Sequence, residues 1–84
     1  MTPIHELMNR IHWDPEFGRG DFSLGFYDRL LDHVIVVPLD DVVFDPQDHF
    51  AVQISDRRGE WHTIPLHRIR DVYKDGVRIW HRVH

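Results

Sequence analysis

A six-residue pattern occurs twice in this chain, 27 positions apart: Val37-Pro38-Leu39-Asp40-Asp41-Val42 aligns with Ile64-Pro65-Leu66-His67-Arg68-Ile69. Proline fixes φ and has no N–H to give to a sheet, so each copy reads as a strand that ends, turns a stiff corner and resumes. The same offset lays Phe50-Ala51-Val52 over Val77-Arg78-Ile79. Each half is thus expected to run strand, Pro-Leu corner, returning strand. Two copies do not make a solenoid, which needs about three or more repeats. The tips differ in charge, Asp40-Asp41 in one copy and His67-Arg68 in the other. Folding alone does not require that reversal.

The remaining segments fit around these corners. Ile4, Leu7, Met8 and Ile11 recur at the spacing of one buried helical stripe, with Thr2 as cap, Pro3 as first helical residue and Glu6–Arg10 as an i,i+4 pair. Asp14-Pro15 stops the helix, and Phe17–Gly20 is a loop. Phe22, Leu24 and Phe26 then alternate with smaller or polar residues, as in a strand with one apolar face. The β-branched run Val34–Val37 predicts a buried strand. Phe50–Ile54 and Glu60–Ile64 flank a hairpin loop at 55–59, and Asp75-Gly76 joins Asp71–Lys74 to Val77–Arg82. The expected fold is α+β: a short N-terminal helix on a strongly bent, barrel-like antiparallel sheet of about five or six strands. Its 84 residues predict a single domain, 1–84.

Composition narrows the function. Without cysteine there are no disulfides, thiolate metal sites or thiol nucleophiles. No apolar run approaches the ~20 residues that span a bilayer, and MTPIHELMNR has no signal-peptide core, so no membrane contact and a cytoplasmic setting are expected. Residues 55–84 carry seven basic and four acidic groups, a net +3, whereas residues 1–54 carry −7. Nine of the ten basic residues are arginine, whose planar fork grips phosphate bidentately. A local anion site fits this pattern, as does a solvated face with ordinary ion pairs.

The His67–Arg70 corner is the leading candidate site. His67, Arg68 and Arg70 would project from a bend stiffened by Pro65, with Leu66 and Ile69 turned inward by a single helical turn. The alternative has His67 bonded to a backbone carbonyl and Arg68 paired with Asp28 or Asp71. In Val77–Arg82, Val77 and Ile79 face one way, and Arg78, Trp80 and Arg82 the other. Trp80 is then a base-stacking platform between arginines or a core residue under arginine stems. Tyr27 and Arg29 share a strand face and admit the same pair of readings. In Trp13-Asp14-Pro15 the indole closes the helix end and Asp14 bonds loop amides. Gly18-Arg19-Gly20 is too short to cradle phosphate by itself. The eight histidines lack an HExxH or His-x-His arrangement, so no metal or other cofactor is expected.

Four motifs occur in order: Asn9-Arg10-Ile11-His12-Trp13-Asp14-Pro15, Gly25-Phe26-Tyr27-Asp28-Arg29, Ile64-Pro65-Leu66-His67-Arg68-Ile69-Arg70 and Gly76-Val77-Arg78-Ile79-Trp80-His81-Arg82. Together they resemble the RNA cyclic group end recognition domain, formerly domain of unknown function 504, over nearly the whole chain. Phe26 stands where that family usually has a tyrosine, which leaves no hydroxyl at this position. The resemblance implies a role in RNA repair or processing, binding ends that carry a 2′,3′-cyclic phosphate beside a separate ligase or phosphoesterase. It also implies that phosphate contacts come from His67, Arg68, Arg70, Arg29, Arg82 and Arg10, and base stacking from Trp80 or Tyr27. Trp13, Asp14, Asp28 and Pro65 are then structural.

The expectation is a non-catalytic RNA-end binder. Two rivals come from other classes. One is a small phosphodiesterase in which His67 and a second histidine (His12, His62 or His81) act as general acid and base. The other is a protein-interaction module anchored by Trp61 and Trp80.

Overall fold

The computed structural model describes residues 2–45, 47–48, 50–55 and 58–82. Helix α1 (Ile4–Trp13) buries the expected stripe of Ile4, Leu7, Met8 and Ile11. Its N-cap is Pro3 rather than Thr2: the Pro3 carbonyl takes the N–H groups of Glu6 and Leu7, each at 3.1 Å. Thr2 serves another end, its carbonyl accepting the Trp80 indole N–H at 2.8 Å. After the helix, Asp14 Oδ1 accepts from the amides of Glu16 and Phe17 at 3.0 and 3.2 Å. Gly18 closes this turn against the helix end, where a Cβ would stand 2.5 Å from the Ile11 carbonyl oxygen.

Strands follow at Phe22–Asp28 (β1), His33–Pro38 (β2), Val42–Phe44 (β3), Ala51–Ser55 (β4), Trp61–Pro65 (β5), Ile69–Lys74 (β6) and Val77–His81 (β7). They form a four-stranded sheet ordered β2-β1-β6-β7 and a three-stranded sheet ordered β3-β4-β5, antiparallel throughout. The α+β class is as expected. The single barrel-like sheet of five or six strands is corrected to two sheets with seven strands among the described residues, and no closed barrel. The two Pro-Leu segments are where the chain crosses between the sheets. Each is a 3₁₀ turn, Leu39–Asp41 and Leu66–Arg68, entered from an extended proline. Because proline and a 3₁₀ turn interrupt the ladder, what reads as one bent strand becomes two strands in different sheets.

The buried side chains of α1, both sheets and Leu66 form one cluster, and each fully buried Leu or Ile contributes about 1.5–3 kcal/mol. Strand β2 departs from expectation. It lies at a sheet edge, and Val34 and Val36 are 38% and 55% exposed rather than buried. An apolar β-branched run states a preference for a strand but not how many of its faces are covered.

Two register shifts aim side chains. Between β1 and β6, Gly25 pairs with Asp71 but Phe26 pairs with Ile69, so Arg70 is an extra, bulged residue. Between β6 and β7, Val72 pairs with Trp80 but Tyr73 pairs with Arg78, so Ile79 is the extra residue. A bulge resets the alternation of faces. Arg78 and Trp80 therefore lie on opposite sides of β7, not on the shared side that strict alternation predicts. At the β6–β7 turn, Asp75 (φ 51°) and Gly76 (φ 82°) both adopt the left-handed conformation of a two-residue hairpin.

Candidate functional site

The second corner is built from the core outward. Pro65 enters it with φ −61° and ψ 141°, and the Ile69 N–H closes the turn on the Leu66 carbonyl. Leu66 and Ile69, three residues apart, both point inward and are buried. The Leu66 N–H donates to the Phe50 carbonyl at 2.8 Å, extending the β4–β5 ladder into the turn, and α1 packs against it. With inward positions filled and the backbone held, the tip residues remain outside: His67 is exposed and Arg68 half-buried.

Arg82 reaches this corner from the far end of the chain. Its Nη1 donates to the His67 carbonyl at 2.7 Å, while its own N–H donates to the Arg70 carbonyl at 2.8 Å. A guanidinium carries five N–H donors in a fixed fork, so the bond to His67 leaves the others for a ligand. Arg70, freed from the sheet's alternation by its bulge, sets its guanidinium carbon 5.2 Å from the centre of the Tyr27 ring. The structure thus ties Arg82 to the backbone of the 66–70 segment at His67 and Arg70, while the Arg70 guanidinium lies over Tyr27.

Two nearby carboxylates, the sequence-predicted partners of Arg68, each have another partner at Oδ1. Asp71 takes His81 Nδ1 at 2.7 Å and lies 3.5 Å from Arg78. Asp28 Oδ1 accepts from the amides of Leu30 and Leu31 at 2.8 and 3.3 Å, shaping the β1–β2 turn. Arg68 makes no ion pair with either among the described residues. The His67 backbone contributes an acceptor rather than its ring seeking one.

Other sequence candidates are placed differently. Trp80 is buried, at 7% exposure, with its indole N–H satisfied by Thr2. It underlies Arg82, whose guanidinium carbon is 5.3 Å from the ring centre, and offers no open stacking surface. Tyr27 is half-buried and gives its hydroxyl to Asp32. That bond raises its pKa above the ordinary value, with smaller contributions from burial and the Asp32 charge. One face of its ring is occupied by Arg70, so Tyr27 orients an arginine instead of serving as an open platform. Arg29 lies in the turn after β1, not on the strand face with Tyr27. Arg10 stays at the helix end, 3.9 Å from Asp14 and 4.1 Å from the Phe17 ring centre. Trp13 does not close the helix; it is 73% exposed, because two positions beyond Ile11 turns it about 200° from the buried stripe.

Two of the three histidines that could face His67 have other partners. His81 bonds Asp71, and His12 packs on Phe44 and Trp13. Among the described residues no group of three or more His, Asp or Glu side chains could hold a metal ion, and no helix is long and apolar enough to cross a membrane.

Sequence reasoning missed the Arg82–His67 bond, since the acceptor is a backbone carbonyl that no residue type announces. It also missed the Asp71–His81 pair. A regular two-residue turn at 75–76 would set Asp71 opposite Trp80, and only the Ile79 bulge moves His81 there. The polar helix flank His5, Asn9, His12, which lines a cavity with Asp45 and Asp48, was legible as an i, i+4, i+7 series beside the buried stripe. A family model described as MJ1316 RNA cyclic group end recognition domain matches residues 1–82. No curated protein and no solved structure gives a match.

Proposed function

The chain belongs to the MJ1316 RNA cyclic group end recognition family, and from that premise we propose that it is a non-catalytic module that grips RNA ends at the second corner. The family description supports RNA ends as the ligand. The observation that carries the location is the bond from Arg82 to the His67 carbonyl. It joins residues 15 positions apart, at a cationic tip where no carboxylate among the described residues pairs with Arg68.

A 2′,3′-cyclic phosphate is a monoanion held rigidly on a ribose. Arg68 supplies a bidentate fork to its two non-bridging oxygens, and the exposed His67 ring supplies a hydrogen bond to a phosphate or ribose oxygen. Arg82 and Arg70 add positive potential from either side of the bend. Such an end arises during RNA cleavage, and the module's part in repair or processing would be to hold it for a separate ligase or phosphoesterase.

The test is a titration of short RNAs of one sequence ending in cyclic phosphate, linear 3′-phosphate or 3′-hydroxyl. The cyclic end should bind most tightly, and affinity should fall as salt rises. His67→Ala and Arg68→Ala should each weaken it by about 1–3 kcal/mol while the fold persists. Equal affinity for all three ends would remove the end specificity. Conversion of the cyclic end to linear phosphate would make the module an enzyme.

A further inference from the structure

A cavity of about 350 Å³ lies between α1 and the three-stranded sheet, away from the arginines of the corner. This is near the lower end of the ~300–1,000 Å³ typical of small-ligand pockets, room for one ring system rather than several nucleotides. Met8, Val52 and Leu66, all buried, line it as apolar surface. Flat rings line another part: His12 lies 4.5 Å from the Phe44 ring at a 33° tilt and meets Trp13 edge-on at 4.4 Å. Trp13 is exposed and packs into no core, yet it borders the cavity. Among the described residues the polar lining is Asp45, Asp48, Asn9, His5 and His12, with no lysine or arginine. Each aspartate accepts a backbone N–H at Oδ1, from Gln47 for Asp45 and from Phe50 for Asp48, so each keeps Oδ2 to accept from a further donor.

From this chemistry we infer that the cavity is a nucleobase pocket selective for guanine. Carboxylates with no lysine or arginine beside them among the described residues favour ring N–H and exocyclic amino donors over phosphate. Guanine alone among the four bases offers two such donors side by side on its Watson–Crick edge, whereas uracil has no amino group. The aromatic wall supplies stacking, which every base has a face for. Leu66 in the lining directly precedes His67 in the corner, so one terminal nucleotide can reach both. The inference rests on the RNA-end reading only for where the base comes from, and the pocket's preference is testable without any phosphate.

The experiment titrates the full chain with guanosine, adenosine, cytidine and uridine, following the Trp13 indole and His12 ring resonances by NMR. Guanosine should bind about tenfold more tightly than uridine, with adenosine and cytidine between. Asp45→Asn with Asp48→Asn keeps the amide-accepting oxygens but should equalise the four nucleosides. Trp13→Ala, followed at His12, should weaken all of them about tenfold. Inorganic phosphate, a probe of the corner, should not compete with guanosine, which separates this result from the fate of the corner. Identical responses to the four nucleosides, no response at all, or a guanosine preference that survives the double asparagine variant would overturn the inference.

Discussion

The two Pro-Leu corners share a backbone and differ in nearly everything else. Each begins with an extended proline, makes one 3₁₀ turn and closes it through the N–H of a β-branched residue, Val42 or Ile69. The first presents Asp40 and Asp41, both exposed, over a half-buried Leu39. The second presents His67 and Arg68 over a buried Leu66, under α1 and braced by Arg82. One corner needs only to carry the chain between sheets. In the proposed function the other also presents cationic groups to a ligand, with Arg82 held in place by its bond to the His67 carbonyl, which lowers the ordering cost of binding. The lesson is that the turn itself is generic, and that chemistry enters through the tip residues and what supports them.

The largest expected effect comes from giving the second corner the first corner's tip. His67→Asp with Arg68→Asp removes two charge-assisted contacts worth about 1.5–3 kcal/mol each and adds repulsion, so affinity for cyclic-ended RNA should fall more than about 100-fold. Placing Asp40→His and Asp41→Arg on that background should not restore it, because the first corner has no counterpart of Arg82 or Arg70; restored binding would show that tip charge alone suffices. Packing gives the next contrast. Leu66→Ala should cost about 2–4 kcal/mol in urea unfolding and Leu39→Ala about 1 kcal/mol, and equal costs would mean that the corners are equally embedded.

How much of this the sequence disclosed depended on how local each signal is. The helix stripe, the Asp-Gly hairpin and the two Pro-Leu turns are written in neighbouring residues, and each formed where it was expected. Thr2 lost the capping position because the extended Pro3 itself caps. Val34 and Val36 were misread because edge position is decided by what other strands do. The bulges at Arg70 and Ile79 carry no residue signature, yet they decide that Arg70 meets Tyr27 and that Trp80 is core. The charge reversal between the corners was visible in the chain, whereas Arg82's reach to a backbone carbonyl was not.

Two smaller effects probe the supports. Arg82→Ala should reduce RNA-end affinity about tenfold and stability by at most about 1 kcal/mol, an exposed charged bond being screened by solvent. Arg82→Lys should recover charge but only part of the affinity, since a point charge cannot both hold the carbonyl and present a fork. The smallest concerns Tyr27, whose bond to Asp32 keeps the phenol protonated beyond its ordinary pKa of about 10. Raised in the folded state, this pKa contributes stability below pH 10 that is lost as pH climbs through the folded value. Asp32→Asn should bring the alkaline absorbance titration of Tyr27 down toward its ordinary midpoint, and an unmoved titration would deny the bond.

The central claim is that a terminal phosphate is held where His67, Arg68, Arg70 and Arg82 meet. Amide and arginine side-chain NMR shifts, recorded as cyclic-ended RNA is added, report on it most directly. The expected map is centred on residues 66–70 and Arg82, weakens with added salt and leaves residues 39–41 unmoved. A map centred on the first corner or on the Asp71–His81 face, with residues 66–70 silent, would contradict it.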